Sequence, residues 1–147
     1  MNHDSYSDEY IAAIISKNRT FAVIGASANP SRPSHAVMKY LIAKGYTVIP
    51  VNPGHAGEAI LGQKVYARLA DIPGPVDLVD IFRNSEAALD AVRDAICAKD
   101  KLAIKAVWMQ LGVKNDAAAA EAEAAGLDVI MNRCPAIEIG RLRVSLE

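Results

Sequence analysis

The chain reads as an α/β protein, a Rossmann-like, doubly wound, three-layer fold around a mainly parallel sheet of about five strands. Three observations predict it. Short apolar runs without polar alternation recur along the chain, as expected of strands buried on both faces. Amphipathic helical segments stand between them. Glycine, proline, asparagine or serine follows nearly every apolar run, where a strand must turn into a helix. Parallel crossovers are right-handed, so few topologies remain.

In chain order, residues 8–17 (DEYIAAIISK) place Ile11, Ile14 and Ile15 on one helical stripe, with Ser5 and Asp8 as the start signal. Residues 1–18 read as a helical extension that covers the sheet. TFAVIG, residues 20–25, is a buried strand closed by glycine, and ASANPSRP, residues 26–33, is a loop. Ser34 to Lys44 turns helical, with Val37, Tyr40 and Leu41 on one face and Gly45 as its stop. YTVIPV, residues 46–51, is the second strand. A long loop follows, with one short strand around Lys64 to Tyr66, and VDLVDIF, residues 76–82, is the next buried strand. Ser85 to Ala98 is a helix with Leu89, Val92 and Ile96 on its inner face and Cys97 as inert core. KAVWMQ, residues 105–110, is a strand. Asn115 to Ala125 is an alanine-rich helix capped by Asn115 and stopped by Gly126. LDVIMN, residues 127–132, is the last strand, before a short helix over 135–143.

At 147 residues the chain is one domain, 1–147, able to bury a core without disulfides or metals. Sixteen basic against seventeen acidic residues leave a net charge of −1, which argues against nucleic acid as partner and leaves room for a small anion. The two cysteines form no disulfide framework and suggest a reducing compartment. With neither a signal peptide nor an apolar run of about 18 residues, the expectation is a cytoplasmic protein without a membrane partner. Oligomeric state stays open between monomer and homodimer.

In an open α/β sheet the ligand lies beyond the carboxyl ends of the strands. Gly25 permits a sharp turn there, and the small residues Ala26, Ser27 and Ala28 let backbone N–H groups approach an anion at a helix N-terminus. This phosphate cradle departs from the nicotinamide fingerprint. Ser27 replaces its second glycine, and Asn52-Pro53 stands where that fingerprint wants an acid for the ribose. NAD is therefore less favoured as cofactor. No catalytic constellation is apparent: His3, His35 and His55 have no metal-ligand spacing, so no metal site is expected. Asp77 and Asp80 face opposite sides of their strand, and Asp80, inside an apolar run, either touches ligand or is paired within the protein. Cys134, beside Arg133 at a strand end, is either a small core residue or an activated thiol.

Five segments in order then carry a resemblance over roughly residues 15–143. They are Val23 to Ser27 with Pro30 and Arg32-Pro33-Ser34, then Val48 to Pro53, Val79 to Ser85, Trp108 to Gly112, and Arg133 to Glu138. The chain resembles the small stand-alone coenzyme A-binding proteins and the CoA-binding domain of the succinyl-CoA synthetase alpha subunit. The resemblance implies coenzyme A or an acyl-CoA held across the strand ends, with the phosphates at Gly25 to Ala28. Val51, Asn52 and Pro53 would line the adenosine end. His55 stands where the synthetase has lysine, so Arg32 or Arg83 would supply the cation for the 3′-phosphate. Phe82 and Arg83 would pack near adenine and pantetheine, and Met109, Gln110 and Leu111 would meet the pantetheine. The thiol would point along the strand ends toward Cys134. The synthetase's phosphorylated histidine and ATP-grasp region have no counterpart in these residues, so a non-catalytic binding module is implied. Two other readings stand beside it: a regulatory protein binding NAD or another nucleotide, and a thiol-redox protein forming a mixed disulfide with CoA through Cys134.

Overall fold

The computed structural model describes all residues from Met1 to Glu147. In chain order the elements are α1 (Asp8–Lys17), β1 (Thr20–Ile24), α2 (Pro33–Ala43), β2 (Thr47–Val51), β3 (Ala59–Ile60), β4 (Gln63–Lys64), β5 (Leu78–Ile81), α3 (Ser85–Leu102), β6 (Ala106–Met109), α4 (Asp116–Ala124), β7 (Asp128–Ile130) and α5 (Pro135–Leu142). Five strands form one parallel sheet in the order β2-β1-β5-β6-β7. This is the predicted three-layer fold. No helix is long and apolar enough to cross a membrane.

Alternation along the strands divides the core in two. Ala22, Val79, Ile81, Val107, Met109 and Val129 face α3 and α4. Phe21, Val23, Leu78, Trp108 and Ile130 face the layer of α1, α2 and α5. Ile11, Ile14 and Ile15 are buried in that second cluster, so α1 covers the sheet as expected.

Four local expectations are corrected. The first helix is capped by Ser7, not Ser5: the Ser7 Oγ accepts the Tyr10 N–H at 3.1 Å. The inner face of α3 is built from Ala88, Ala91, Val92, Ala95, Ala98 and Leu102, while Leu89 and Ile96 are half-buried at its margin. Alanine lets α3 lie close to its neighbours, which a stripe chosen for bulk overlooks. Cys97 falls outside that face and is exposed. The segment expected as one strand near Lys64 is a hairpin of β3 and β4, after which Tyr66 runs parallel to Val51.

That last contact closes one side of the sheet. The Tyr66 N–H donates to the Pro50 carbonyl at 3.1 Å, and its carbonyl accepts the Asn52 N–H at 2.9 Å. At the amino end of the strands Asp77 acts as a staple. Its Oδ2 accepts the N–H groups of Arg19 and Thr20 at 2.9 and 3.0 Å, and Oδ1 lies 3.4 Å from Lys105 Nζ. Asp77 lies just before β5 with its carboxylate folded onto neighbouring backbone, whereas Asp80 sits inside the strand.

Candidate functional site

The chain runs from β1 outward to β2, then crosses to β5 on the other side of β1. The two following segments therefore diverge between β1 and β5, and a crevice opens at their carboxyl ends. A cleft of about 550 Å³ occupies that place, within the ~300–1,000 Å³ of small-molecule sites. Gly25, Ala26, Ser27, Arg32, Pro33 and Ser34 form one wall, and Phe82, Arg83 and Asn84 the other. Asn52, Gln110, Leu111 and Val113 complete it.

The two walls approach closely only because residue 25 is glycine. Its φ is +84°, and a Cβ there would lie 2.3 Å from the Phe82 carbonyl oxygen. The β1–α2 loop is held from within. The N–H groups of Gly25 and Ala26 donate to the Val51 carbonyl at 3.1 and 3.3 Å. The Ser27 N–H donates to Ser34 Oγ at 3.1 Å, and Asn52 Nδ2 donates to the Ala26 carbonyl at 2.7 Å. The predicted cradle thus shifts along the chain: its first three N–H groups are engaged, and the donors left open are those of Ala28 and Ser34.

Charge at the cleft is one-sided. Arg32 and Arg83 line it, neither has an ion pair, and no carboxylate is among its lining residues. Helix α2 begins there with no side-chain cap and no acidic residue in its first turn, so its positive end is left uncompensated. Helix α3 also begins at the cleft, behind its cap Asn84, whose Oδ1 accepts the Ala87 N–H at 2.8 Å. The Ser85 Oγ accepts the Lys114 N–H at 3.0 Å and ties this loop to the one after β6.

The other predicted residues lie apart from the lining. Val51 and Met109 are buried in the core against α3 and α4. Ala28 and Pro53 are exposed beside the cleft. His55 is turned away, its Nδ1 2.7 Å from Glu58. Cys134 is 7% exposed and belongs to the core under α5, so its thiol is covered. Pro33, Ser34, Asn84 and Val113 also line the cleft; the first three lie in segments that carry the resemblance but are not among the predicted ligand-binding residues. The sequence pattern already starts one of the two helices that point at the crevice at Ser34, and the other at Ser85, one residue past Asn84; Val113 carries no sequence signal.

Beneath the cleft, Asp80 is fully enclosed, with Val23 and Trp108 as its strand partners. Burial pushes its carboxyl well above the usual carboxylate range. It does not line the cleft, and it has no ion pair or hydrogen bond, so neither expectation for it holds in this form.

A family model described as a CoA binding domain matches residues 19–140. An uncharacterized protein of Bacillus subtilis is 36% identical over 124 residues, which cover 84% of this chain and 87% of that protein. The alpha subunit of an ADP-forming acetate–CoA ligase of Pyrococcus furiosus is 42% identical over 67 residues, 43% of this chain and only 14% of the subunit. A solved hypothetical protein from Pyrococcus horikoshii has a TM-score of 0.86 at 37% identity, covering 97% of this chain and 96% of that one.

Proposed function

This chain belongs to the CoA-binding domain family, and from that premise we propose that it binds coenzyme A, free or as an acyl thioester, in the cleft between β1 and β5 without transforming it. The observation that carries this reading is the pair of unpaired arginines, Arg32 and Arg83, in a cleft whose lining includes no carboxylate. A ligand with a pyrophosphate and a 3′-phosphate needs such surroundings, because charge-assisted hydrogen bonds to phosphate gain most where no competing anion stands. The open N–H groups of Ala28 and Ser34 and the start of α2 suit the pyrophosphate. The arginines suit the 3′-phosphate, and Phe82 offers a face to the adenine.

Asn52 weighs against a nicotinamide dinucleotide. It stands at the end of β2 where an acid would hold the ribose, and its side chain is spent on Ala26 and Gly54. Calorimetric titration with CoA, acetyl-CoA, dephospho-CoA and NAD tests the proposal. CoA and acetyl-CoA are expected to bind at least tenfold more tightly than dephospho-CoA. Binding of NAD alone, or of none of the four, would overturn it.

A further inference from the structure

Two side chains at the foot of the cleft have polar atoms with nothing to bond. Asp80 is 0% exposed and neither carboxyl oxygen has a partner; Gln110 is 7% exposed and its Oε1 has none. The two are neighbours. Asp80 stands in register with Trp108, and Gln110 lies two residues beyond Trp108, on the same face. Strands about 4.8 Å apart that rise about 3.3 Å per residue put the two Cα positions about 8 Å apart on the diagonal. An aspartate and a glutamine side chain together span that gap. Gln110 also lines the cleft, and its Nε2 forms no bond within the protein and is the unenclosed end of the amide.

The chemistry of the pair is complementary. Val23 and Trp108, both in the apolar cluster on that face of the sheet, flank Asp80, and no ion pair balances its carboxylate. An isolated carboxylate in such surroundings is too costly, so the group is held as the neutral acid. A neutral acid has an O–H to donate, and Gln110 Oε1 is an enclosed acceptor without a donor.

We propose that Asp80 is a positioning residue: its O–H donates to Gln110 Oε1, and the amide held this way presents Nε2 as a donor to a carbonyl oxygen of the ligand. The inference rests on the coenzyme A reading, since the pantetheine arm of that ligand carries amide carbonyls that a bare nucleotide lacks. Gln110 then distinguishes the complete coenzyme from its nucleotide half.

The test compares CoA with adenosine 3′,5′-bisphosphate, which lacks the arm, by titration against four proteins. Wild type is expected to favour CoA. Gln110→Leu and Asp80→Leu are each expected to lose at least tenfold in CoA affinity and less than twofold for the bisphosphate. Asp80→Asn, which keeps a donor at the position, is expected to stay within threefold of wild type for both. Equal losses for the two ligands, unchanged CoA affinity in Gln110→Leu, or an Asp80→Asn as weak as Asp80→Leu would each overturn the inference. Should Asp80→Leu fail to fold, Gln110→Leu still reads the split between ligands, and an Asp80→Asn that weakens CoA tenfold is itself the overturning result. Failure of wild type to bind either ligand would overturn the coenzyme reading itself, an outcome distinct from CoA binding that ignores Gln110.

Discussion

Tyr10 and Val129 share two hydrogen bonds through a single hydroxyl. The Tyr10 Oη donates to the Val129 carbonyl at 2.9 Å and accepts the Val129 N–H at 3.2 Å. One turn earlier, Tyr6 Oη accepts the Met131 N–H at 2.8 Å, with the Arg133 guanidinium 5.2 Å from its ring centre. These backbone groups face away from β6, on the outer side of the last strand. Phenols from the N-terminal segment thus stand where another strand would pair.

Removing the Tyr10 hydroxyl should expose that edge. Tyr10→Phe keeps the ring and leaves the outward N–H and carbonyl of Val129 without partners. A loss of about 1–3 kcal/mol is expected. Urea denaturation measures it, and faster amide exchange at Val129 locates it.

The same tyrosine predicts an alkaline limit. Burial pushes the hydroxyls of Tyr10 and Tyr46 up to about 12. A raised value in the folded state means that their contribution is complete below the ordinary tyrosine range near ~10 and is lost as pH climbs from there toward 12. The melting temperature of wild type should fall across that interval, and less steeply in Tyr10→Phe.

At acid pH the sensitive group is Asp77. Burial acts to raise its carboxyl, but the N–H groups of Thr20 and Arg19, together with Lys105, outweigh it and hold it below the usual range. A depressed value stabilises the fold above the unfolded carboxylate range and ceases to do so as pH falls through the folded value. Asp77→Asn should therefore be less stable than wild type at pH 7, with the difference shrinking toward pH 2.

Asp80 has the opposite sign. Burial alone raises it, so its neutral form fits the fold at low pH, and stability is lost as pH rises past the unfolded carboxylate range. Asp80→Asn should melt above wild type at pH 7, with the advantage vanishing near pH 4.

Gly25→Ala should fail for two separable reasons. The left-handed backbone costs an alanine about 1–2 kcal/mol, and its methyl group would meet the Phe82 carbonyl oxygen at 2.3 Å. Because that carbonyl belongs to the opposite wall of the cleft, CoA affinity is expected to fall along with the melting temperature. A variant that melts lower yet binds CoA normally would contradict this coupling.

Much of the fold was legible because each buried strand is a short apolar run closed by a turn residue, and the β1–α2 loop and the Phe82-Arg83 segment fell out of that pattern directly. What stayed hidden depends on partners distant in sequence. Nothing near Gly25 announces that the Val51 carbonyl takes the loop's first two N–H groups, or that Ser34 takes the third. Ser5 and Ser7 are equivalent as helix starts until Tyr6 and Tyr10 are anchored to β7. The inner face of α3 escaped a search for bulky residues because closeness, not size, selects alanine there. His55 was placed by family likeness and Cys134 by its position beside Arg133 at a strand end, and neither side chain reaches the cleft.

The β1–α2 loop, fastened by Val51, Ser34 and Asn52, has little disorder left to lose when a ligand arrives. Encounter should therefore be one bimolecular step with no slow rearrangement after it. Two unpaired arginines at the mouth should speed that step at low ionic strength and slow it as salt is added. Residence time is then governed by how quickly the phosphates leave a rigid seat, and variants of Arg32 or Arg83 should both associate more slowly, with a weaker salt dependence, and release the ligand sooner.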